Sequence, residues 1–457
     1  MNERLKHRIQ LMFSKILNYV LVTVPFALCW FEYYADIIAS PFFNLGNYAV
    51  VLLYLAMFFT FCRVYDANEI SLHKISEMFY SQVISFLVSD GFIYIVICIL
   101  SKKIVTIVPG LLCIAGQFVL SYLWCHFVHV LYFKTTPVKR TIVIYDDREG
   151  LENLINEYGL NKKFKVEETM QIEECMNDLS VLDKYQTIFL SDIHSHDRNI
   201  LSKYCVEEDK DLYIIPRLGD IILSGAKNMH MFHLPILRLR RYNPHLEYIV
   251  VKRLFDIVVA GAAAIILSPF MLITAIAIKA YDKGPALYKQ KRLTKDGKIF
   301  EILKFRSMRV DAEKYSGAVL STGENDPRIT PVGRFIRKIR FDELPQLFNI
   351  LKGDMSIVGP RPERPEIAEK YEEILPEFKL RLQVKAGLTG YAQVYGKYNT
   401  TPYNKLQMDL MYIAHPSFIE DMRICMATVK ILFMKESTEG IETGQTTAIS
   451  ESDEDKK

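Results

Sequence analysis

The chain has almost no excess of either charge: 56 lysines and arginines stand against 53 aspartates and glutamates, a formal net of +3 over 457 residues. No basic domain or stripe stands out, which argues against a nucleic-acid partner. The eight cysteines form no CxxC or metal-ligand spacing. Cys29, Cys62, Cys98, Cys113 and Cys125 sit in apolar runs, and Cys175, Cys205 and Cys425 are scattered, so all read as small buried hydrophobes. A small-residue cleavage site is also missing after the first apolar run, which therefore reads as a retained anchor.

What the chain has instead is hydrophobicity, at 50% of residues and unevenly spread. Four apolar segments, 16–34, 41–62, 75–100 and 104–133, each approach the roughly 20 residues that cross a bilayer as a helix. A four-span arrangement puts Arg4, Lys6, Arg8, Lys15, Arg63, Lys74, Lys134, Lys139 and Arg140 on one side, against Lys102 and Lys103 on the other. By the excess of Lys and Arg on cytoplasmic loops, the N-terminus and everything after residue 134 are cytoplasmic. Asp90 interrupts the third segment, where it either packs inside the bundle or occupies a bent, wet spot.

From Thr141 onward short β-rich runs alternate with polar helical stretches. Residues 141–145, 187–190 and 211–215 read as buried parallel strands, with 149–158 and 197–208 as crossover helices, a small doubly wound domain over 138–228. Its first turn, Asp146-Asp147-Arg148-Glu149-Gly150, carries one glycine and three acids, so a structural or regulatory module is favoured over a dinucleotide site. The cluster of His194, Ser195, His196 and Asp197 reads as a polar loop after a strand. A basic, aromatic connector (229–251) leads to a fifth apolar segment, 254–280, with Lys252-Arg253 before it and Lys279, Lys283, Lys289, Lys291 and Arg292 after it. Positive charge at both ends opposes a simple crossing. Ser268-Pro269 sits mid-segment, where proline removes a backbone hydrogen bond. A helix over 252–283, broken at Ser268-Pro269, that enters and leaves by the same face satisfies both observations.

The region 284–435 carries the chemistry. Residues 288–292 and 299–308 read as a hairpin turned at Lys295-Asp296-Gly297-Lys298. A loop rich in Gly, Asn, Asp and Pro follows over 315–330, then a helix over 331–340 with Arg334, Arg337, Lys338 and Arg340. Asp342-Glu343 opens a further helix ending at Gly353, where Asp is a good N-cap and Pro345 is tolerated. Capping leaves the surroundings unexplained, since a helix start with upstream arginines is an anion site and anions there are commonly phosphates. A carboxylate against a phosphate needs its repulsion offset, which Mg²⁺ would do; Asp342 and Glu343 could divide attack on phosphorus and metal binding. Gly359-Pro360-Arg361-Pro362 is a rigid turn bearing one planar guanidinium, suited to bidentate phosphate recognition or else a linker with a solvated Arg. Helical, apolar-faced residues 403–434 suit a membrane surface, and 436–457 reads as a disordered polar tail.

Several ordered motifs between Lys252 and Lys435 together resemble the bacterial sugar transferases, the polyprenyl-phosphate phosphoglycosyl transferases with a single re-entrant membrane helix. They are Lys252-Arg253 with Asp256, Ser268-Pro269, Lys304-Phe305-Arg306-Ser307-Met308, Asp326-Pro327-Arg328-Ile329-Thr330, the run from Asp342 to Leu347, Lys352-Gly353-Asp354-Met355-Ser356, Gly359-Pro360-Arg361-Pro362 and Gly387-Leu388-Thr389-Gly390. With the preceding bundle and doubly wound domain, the chain resembles the long form that starts capsule, exopolysaccharide or O-antigen synthesis. The resemblance implies a mixed-class membrane protein: an N-terminal four-helix transmembrane bundle (1–137), a small α/β doubly wound domain, a re-entrant membrane helix, and a mostly α catalytic domain on the cytoplasmic face of the bacterial inner membrane. It implies that Asp342 attacks the β-phosphate of a UDP-sugar, expelling UMP, and that undecaprenyl phosphate then takes the sugar phosphate. Glu343, with Asp342, would bind Mg²⁺, and Lys304, Arg306, Arg340 and Arg361 would contact phosphates. A homodimer is compatible with it. The family often has Pro where Ala386 stands and Trp where Tyr391 stands, and the segment 394–398 differs from its usual small polar run, all in the region expected to recognise sugar or nucleotide. The rival readings are a direct glycosyltransferase or phosphatase, and a non-catalytic scaffold of a polysaccharide assembly complex.

Overall fold

The computed structural model describes residues 3–42, 45–146, 150–242, 244–310, 328–396 and 401–432. Asp326-Pro327, most of the 315–330 loop, Lys397-Tyr398 and the 436–457 tail lie outside the described residues. Two compact units make up the chain, Met1–Pro216 and Arg217–Lys457.

In the first unit, α1 (Glu3–Cys29), α2 (Leu45–Val64), α3 (Ile75–Ser101) and α4 (Val108–Thr135) are long and apolar enough to cross a membrane. α1 runs on into a π-helical turn, Trp30–Tyr34. The four helices share a core in which Phe26 stacks on Tyr54 at 4.1 Å between ring centroids, joined by Trp30, Phe58, Phe86 and Ile93. Large apolar residues such as Leu52, Ile99 and Leu112 face outward, which water disfavours over so many residues and lipid does not. Asp90 points inward, its Oδ1 3.5 Å from Gln117 Nε2, which also donates to Tyr54 Oη at 2.7 Å.

The same unit holds a four-stranded parallel sheet: β1 (Lys139–Tyr145), then α5 (Leu151–Glu157), β2 (Phe164–Gln171), α6 (Ile172–Asn177), β3 (Thr187–Ser191), α7 (Ser195–Glu207) and β4 (Asp211–Ile215), in the order β2-β1-β3-β4. The central strand β1 buries Thr141, Ile142, Val143 and Ile144 on both faces, as its continuous apolar run requires. β2 is a strand the sequence reading did not foresee. As an edge strand it leaves Lys165, Glu167 and Glu168 on a largely open surface, so no buried run marks it. His194 ends its loop at α7, with Nε2 3.7 Å from Asp146 Oδ2.

The second unit begins with α8 (Leu218–Ser224) and an antiparallel hairpin, β5 (Lys227–Met231) and β6 (Leu234–Arg238), where a connector was expected. Exposed apolar residues on it, Phe232 and Leu237 among them, give no one-sided alternation to read.

The break expected at Ser268-Pro269 is not present: helix α9 (Leu246–Asp282) runs on for 37 residues through both, the proline being accommodated within it, and Ser268 Oγ donates to the Ile265 carbonyl at 2.7 Å. A straight helix of that length would measure about 55 Å, nearly twice a bilayer's hydrocarbon core. Both of its halves pack on the same unit. In the first half Asp256 is buried and accepts from Ser356 Oγ (3.1 Å) and the Ile357 N–H (2.9 Å). Lys252 pairs with the buried Asp421 at 2.9 Å. In the second half Met271 and Ile278 join Phe305, Ile336, Phe341 and Leu344 in one apolar cluster. Ile265 and Ile266 between these contacts, and Leu272 and Ile273 on the outer side of the second half, are 63–76% exposed.

β7 (Leu287–Leu293) and β8 (Ile299–Phe305) form the expected hairpin, its turn using left-handed backbone at Asp296 and Gly297. α10 (Pro331–Lys338) is capped by Thr330, whose Oγ1 accepts from the Gly333 N–H at 2.9 Å. α11 (Gln346–Lys352) ends at Gly353, which has φ +98°, and Arg253 takes its last carbonyls, donating to Ile350 O (2.7 Å) and Leu351 O (2.9 Å). β9 (Met355–Val358) pairs in parallel with β10 (Ala386–Thr389), across α12 (Pro365–Ile374). α13 (Tyr391–Tyr395), α14 (Pro402–Ala414) and α15 (Phe418–Leu432) follow. α14 was expected on a membrane surface; its Leu406, Leu410 and Ile413 instead fill the core beside Leu347, Ile350 and Met355. Met411 alone of its large apolar residues is left exposed.

Candidate active site

Asp342 and Glu343 do not open a helix. They lie in a single 3₁₀ turn, Phe341–Glu343, and α11 starts three residues later behind Pro345, which makes no side-chain cap bond. The N-cap reading of Asp342 is therefore corrected: proline occupies the position before the helix, and a carboxylate three residues further back is not its N-cap. Arg340, just before the turn, holds left-handed backbone at φ +58°. The turn that follows has three residues per turn, so side chains three apart share a face. Phe341 and Leu344 pack into the cluster with Met271 and Ile278, while Glu343 reaches Lys304 and Arg361.

Lys304 comes from β8, whose edge is fastened to α11 by one side chain. Asn349 Oδ1 accepts from the Leu303 N–H at 2.9 Å and its Nδ2 donates to the Glu301 carbonyl at 2.8 Å. The sequence reading passed over Asn349; its signal is a lone amide between Phe348 and Ile350, on the face that the helix buries. Arg361 comes from the turn after β9. Its backbone is held against β10 by bonds from the Gly359 N–H to Thr389 O and from the Gly387 N–H to Pro360 O, both 2.9 Å. Glycine is required here, since a Cβ on Gly387 would stand 2.2 Å from the Gly359 nitrogen.

Glu343 Oε1 accepts from Lys304 Nζ at 3.1 Å and from Arg361 Nη2 at 2.9 Å. Burial alone would raise its pKa, but the Lys304, Arg361 and Arg340 charges outweigh that and hold it far below the usual carboxylate range. Burial lowers the Lys304 pKa, which Glu343 partly restores. Asp342 is the contrasting member. Among the described residues it makes no hydrogen bond or ion pair, and burial, with Glu343 next to it, raises its pKa against the pull of Lys304, Arg337 and Arg361. One carboxylate of the pair is thus locked and ionised, and the other is unbonded within a positive surround.

Of the expected site residues, Asp342, Glu343, Lys304, Arg340 and Arg361 converge. Arg306 does not join them: its buried guanidinium pairs with Asp282 at the end of α9 and packs on Gly284, where a Cβ would come within 2.2 Å of Nη1. Ser268 and Pro269 stay within α9. Among the described residues no three His, Cys, Asp or Glu side chains gather as a metal cage. Two adjacent carboxylates nevertheless fit Mg²⁺, which keeps several waters and takes one or two carboxylates alongside substrate phosphates.

A bacterial sugar transferase family model matches residues 247–435. The exopolysaccharide production protein PSS of Rhizobium leguminosarum is 42% identical over 189 residues, 40% of this chain and 94% of that protein. A UDP-glucose:undecaprenyl-phosphate glucose-1-phosphate transferase of Klebsiella pneumoniae is 40% identical over 193 residues, 41% of each chain. An uncharacterized sugar transferase of Haemophilus influenzae is 36% identical over 265 residues, 54% of this chain and 55% of that protein. The chain thus spans about half the length of these last two relatives.

Proposed function

Because the chain belongs to the bacterial sugar transferase family, we propose that it moves a sugar 1-phosphate from a UDP-sugar to undecaprenyl phosphate and so initiates an extracellular polysaccharide. The observation that carries the chemistry is the unequal pair: Glu343 gripped by Lys304 and Arg361, and Asp342 without a bonded partner. A carboxylate that forms no bonds of its own has lone pairs free for attack.

In the first step an Asp342 carboxylate oxygen attacks the β-phosphorus of the UDP-sugar. The bond from that phosphorus to the bridging oxygen breaks, and UMP leaves with the oxygen and its electron pair. An acyl phosphate joins Asp342 to the sugar phosphate. In the second step a phosphate oxygen of undecaprenyl phosphate attacks the same phosphorus, breaks the bond to Asp342 and regenerates the carboxylate. Lys304, Arg340 and Arg361 line the path of the diphosphate and meet its charge as it develops. Arg306 is assigned to holding the end of α9. Bound Mg²⁺, which Glu343 and Asp342 would hold with substrate phosphates and water, would supply further charge neutralisation.

The lipid acceptor explains the architecture. Helices α1–α4 form a four-helix transmembrane bundle in the bacterial inner membrane, and α9 is a re-entrant element with the catalytic unit on the cytoplasmic face. Packing of both halves of α9 on one unit, with an exposed apolar stretch between, supports that reading. The polyprenyl tail then stays in lipid while its phosphate meets a water-soluble nucleotide sugar.

The test is incubation of the purified full chain with UDP-sugars carrying label in the β-phosphate. UMP release with label retained on Asp342 is expected before any acceptor is added. Release of UDP with no label on the protein overturns the covalent scheme in favour of direct glycosyl transfer, and undiminished label on Asp342→Asn overturns Asp342 as the nucleophile.

A further inference from the structure

The devices that aim Arg361 lie far from it in sequence. Two guanidiniums, Arg381 buried and Arg292 partly so, take the carbonyls of the turn that bears it: Arg381 Nη2 donates to Arg361 O at 3.0 Å, and Arg292 Nη1 to Pro362 O at 2.9 Å. Arg381 is in turn fixed on Asp409 of α14, with Nε 2.8 Å and Nη2 2.7 Å from Oδ2, and the two residues are 4% and 1% exposed. Glu363 lies between the guanidiniums, 3.7 Å from Arg381 Nη1 and 4.0 Å from Arg292 Nη1. Lys405 adds its charge beside Glu363.

Buried ion pairs add little net stability over apolar packing of the same volume, because both charges lose their water. Five charged side chains around one four-residue turn are therefore a costly way to gain stability alone. What they supply is direction. Pro360 and Pro362 restrict the backbone on either side of Arg361 but do not orient the turn as a whole. Bonds to two successive carbonyls do, and they come from a strand on one side and from the stretch Pro376–Gln383 on the other.

We propose that Arg381, seated on Asp409, is a positioning residue that together with Arg292 fixes the 359–362 turn so that the Arg361 guanidinium faces Glu343 and the diphosphate. The target of that aim rests on the proposed function; the aim itself does not.

The test uses the full chain in nanodiscs, with Arg381→Lys, Arg361→Ala and the double variant. Lysine keeps a charge for Asp409 but cannot span both Asp409 and the Arg361 carbonyl. Arg381→Lys is expected to lower kcat for UMP release about 100-fold, as small misplacements of a catalytic group do. In the Arg361→Ala background the same change is expected to cost less than about 2-fold, because its effect passes through Arg361. Hydrogen exchange over residues 359–364 is expected to quicken in Arg381→Lys with the melting temperature nearly unchanged. Asp409→Asn, which keeps the volume, is expected to give the same pattern more weakly and stands in if Arg381→Lys fails to fold. Additive losses of kcat, or unchanged exchange in 359–364, overturn the proposal. A wild-type chain that releases no UMP from any UDP-sugar instead overturns the proposed function, and the exchange measurement then decides the positioning by itself.

Discussion

Removing the charge of Asp342 should stabilise the protein while abolishing turnover. The carboxylate makes no hydrogen bond or ion pair among the described residues, and burial and Glu343 both raise its pKa. A carboxyl with a raised folded pKa favours the fold while protonated, below its unfolded value near about 3.9, and loses that advantage as pH rises through the folded value. At pH 7.5 only the cost of an ionised, unbonded group remains. Asp342→Asn and Asp342→Ala should each recover about 1 kcal/mol, within the usual gain from relieving a strained active site, or about 2–4 °C in Tm for a unit of this size. Glu343→Gln should do the opposite. Glu343 has a depressed folded pKa, so its contribution is present above its unfolded value near about 4.3 and is lost as pH falls. Its loss leaves Lys304 and Arg361 facing one another without a counter-charge. Breaking a fully buried pair costs about 3–5 kcal/mol; Arg361 is 42% exposed on its side chain, so water offsets part of that and about 2 kcal/mol is expected, or about 4–8 °C. Melting of the full chain in detergent at pH 7.5, followed by intrinsic fluorescence, reads all three. Had Asp342 been an N-cap, alanine would cost about 1 kcal/mol and asparagine almost nothing. A fall in Tm for Asp342→Ala of that size would refute the unbonded-carboxylate reasoning.

Four further outcomes are expected. The acid limb of kcat/KM for UMP release should lie above the free aspartate value of about 3.9, since Asp342 must be ionised and its pKa is raised, and the alkaline limb should lie below about 10.4, where burial brings Lys304 down; an acid limb at or below the free value contradicts this. EDTA should abolish UMP release and Mg²⁺ should restore it, whereas metal-independent turnover would remove the ion from the scheme. Gly387→Ala drives a Cβ to 2.2 Å from the Gly359 nitrogen and should cost about 1–3 kcal/mol in melting, with a fall in UMP release as the Arg361 turn shifts; wild-type behaviour would mean that the β9–β10 approach is looser than drawn. Single cysteines at 250 and 285, in a background cleared of reactive thiols, should label from the same side of sealed vesicles, and labelling from opposite sides would make α9 a true span.

The membrane-length helices were legible because a run of about 20 apolar residues needs no tertiary partner to declare itself. Of the three foreseen strands, β1 and β3 are inner and buried, whereas β4 is an exposed edge strand, against the expectation of a buried one, and was legible only through its short β-branched and aromatic run. β2 escaped because its edge position permits Lys165, Glu167 and Glu168 along one exposed surface, and the β5–β6 hairpin escaped because its apolar residues are exposed on both sides. At the site, the adjacency of Asp342 and Glu343 and the density of nearby arginines pointed to anion chemistry, but local sequence could not rank the cations. Arg306 lies two residues from Lys304, so the two face alike along a strand; only the fold reveals that Asp282, 24 residues back, takes Arg306 while Lys304 is left to Glu343. Arg381 and Asp409 are 28 residues apart with no pattern joining them, and a buried ion pair of that kind becomes visible only when β10 and α14 are in place.

Placement of the acids follows from apolar contacts rather than from the charges around them. Phe341 and Leu344 flank Asp342 and Glu343, and both are packed with Met271 and Ile278 of α9, the helix with the most exposed apolar surface in its unit. The charged groups then set the chemistry on the opposite side of the same turn, with Glu343 neutralised twice and Asp342 left unbonded. Under the proposed function, a turn built this way would tie the Asp342 nucleophile to a lipid-facing helix over two residues. In the proposed reaction an acceptor whose phosphate is tethered to a hydrocarbon tail would reach the carboxylate along that tie, so the apolar pair at 341 and 344 would serve it alongside the acids.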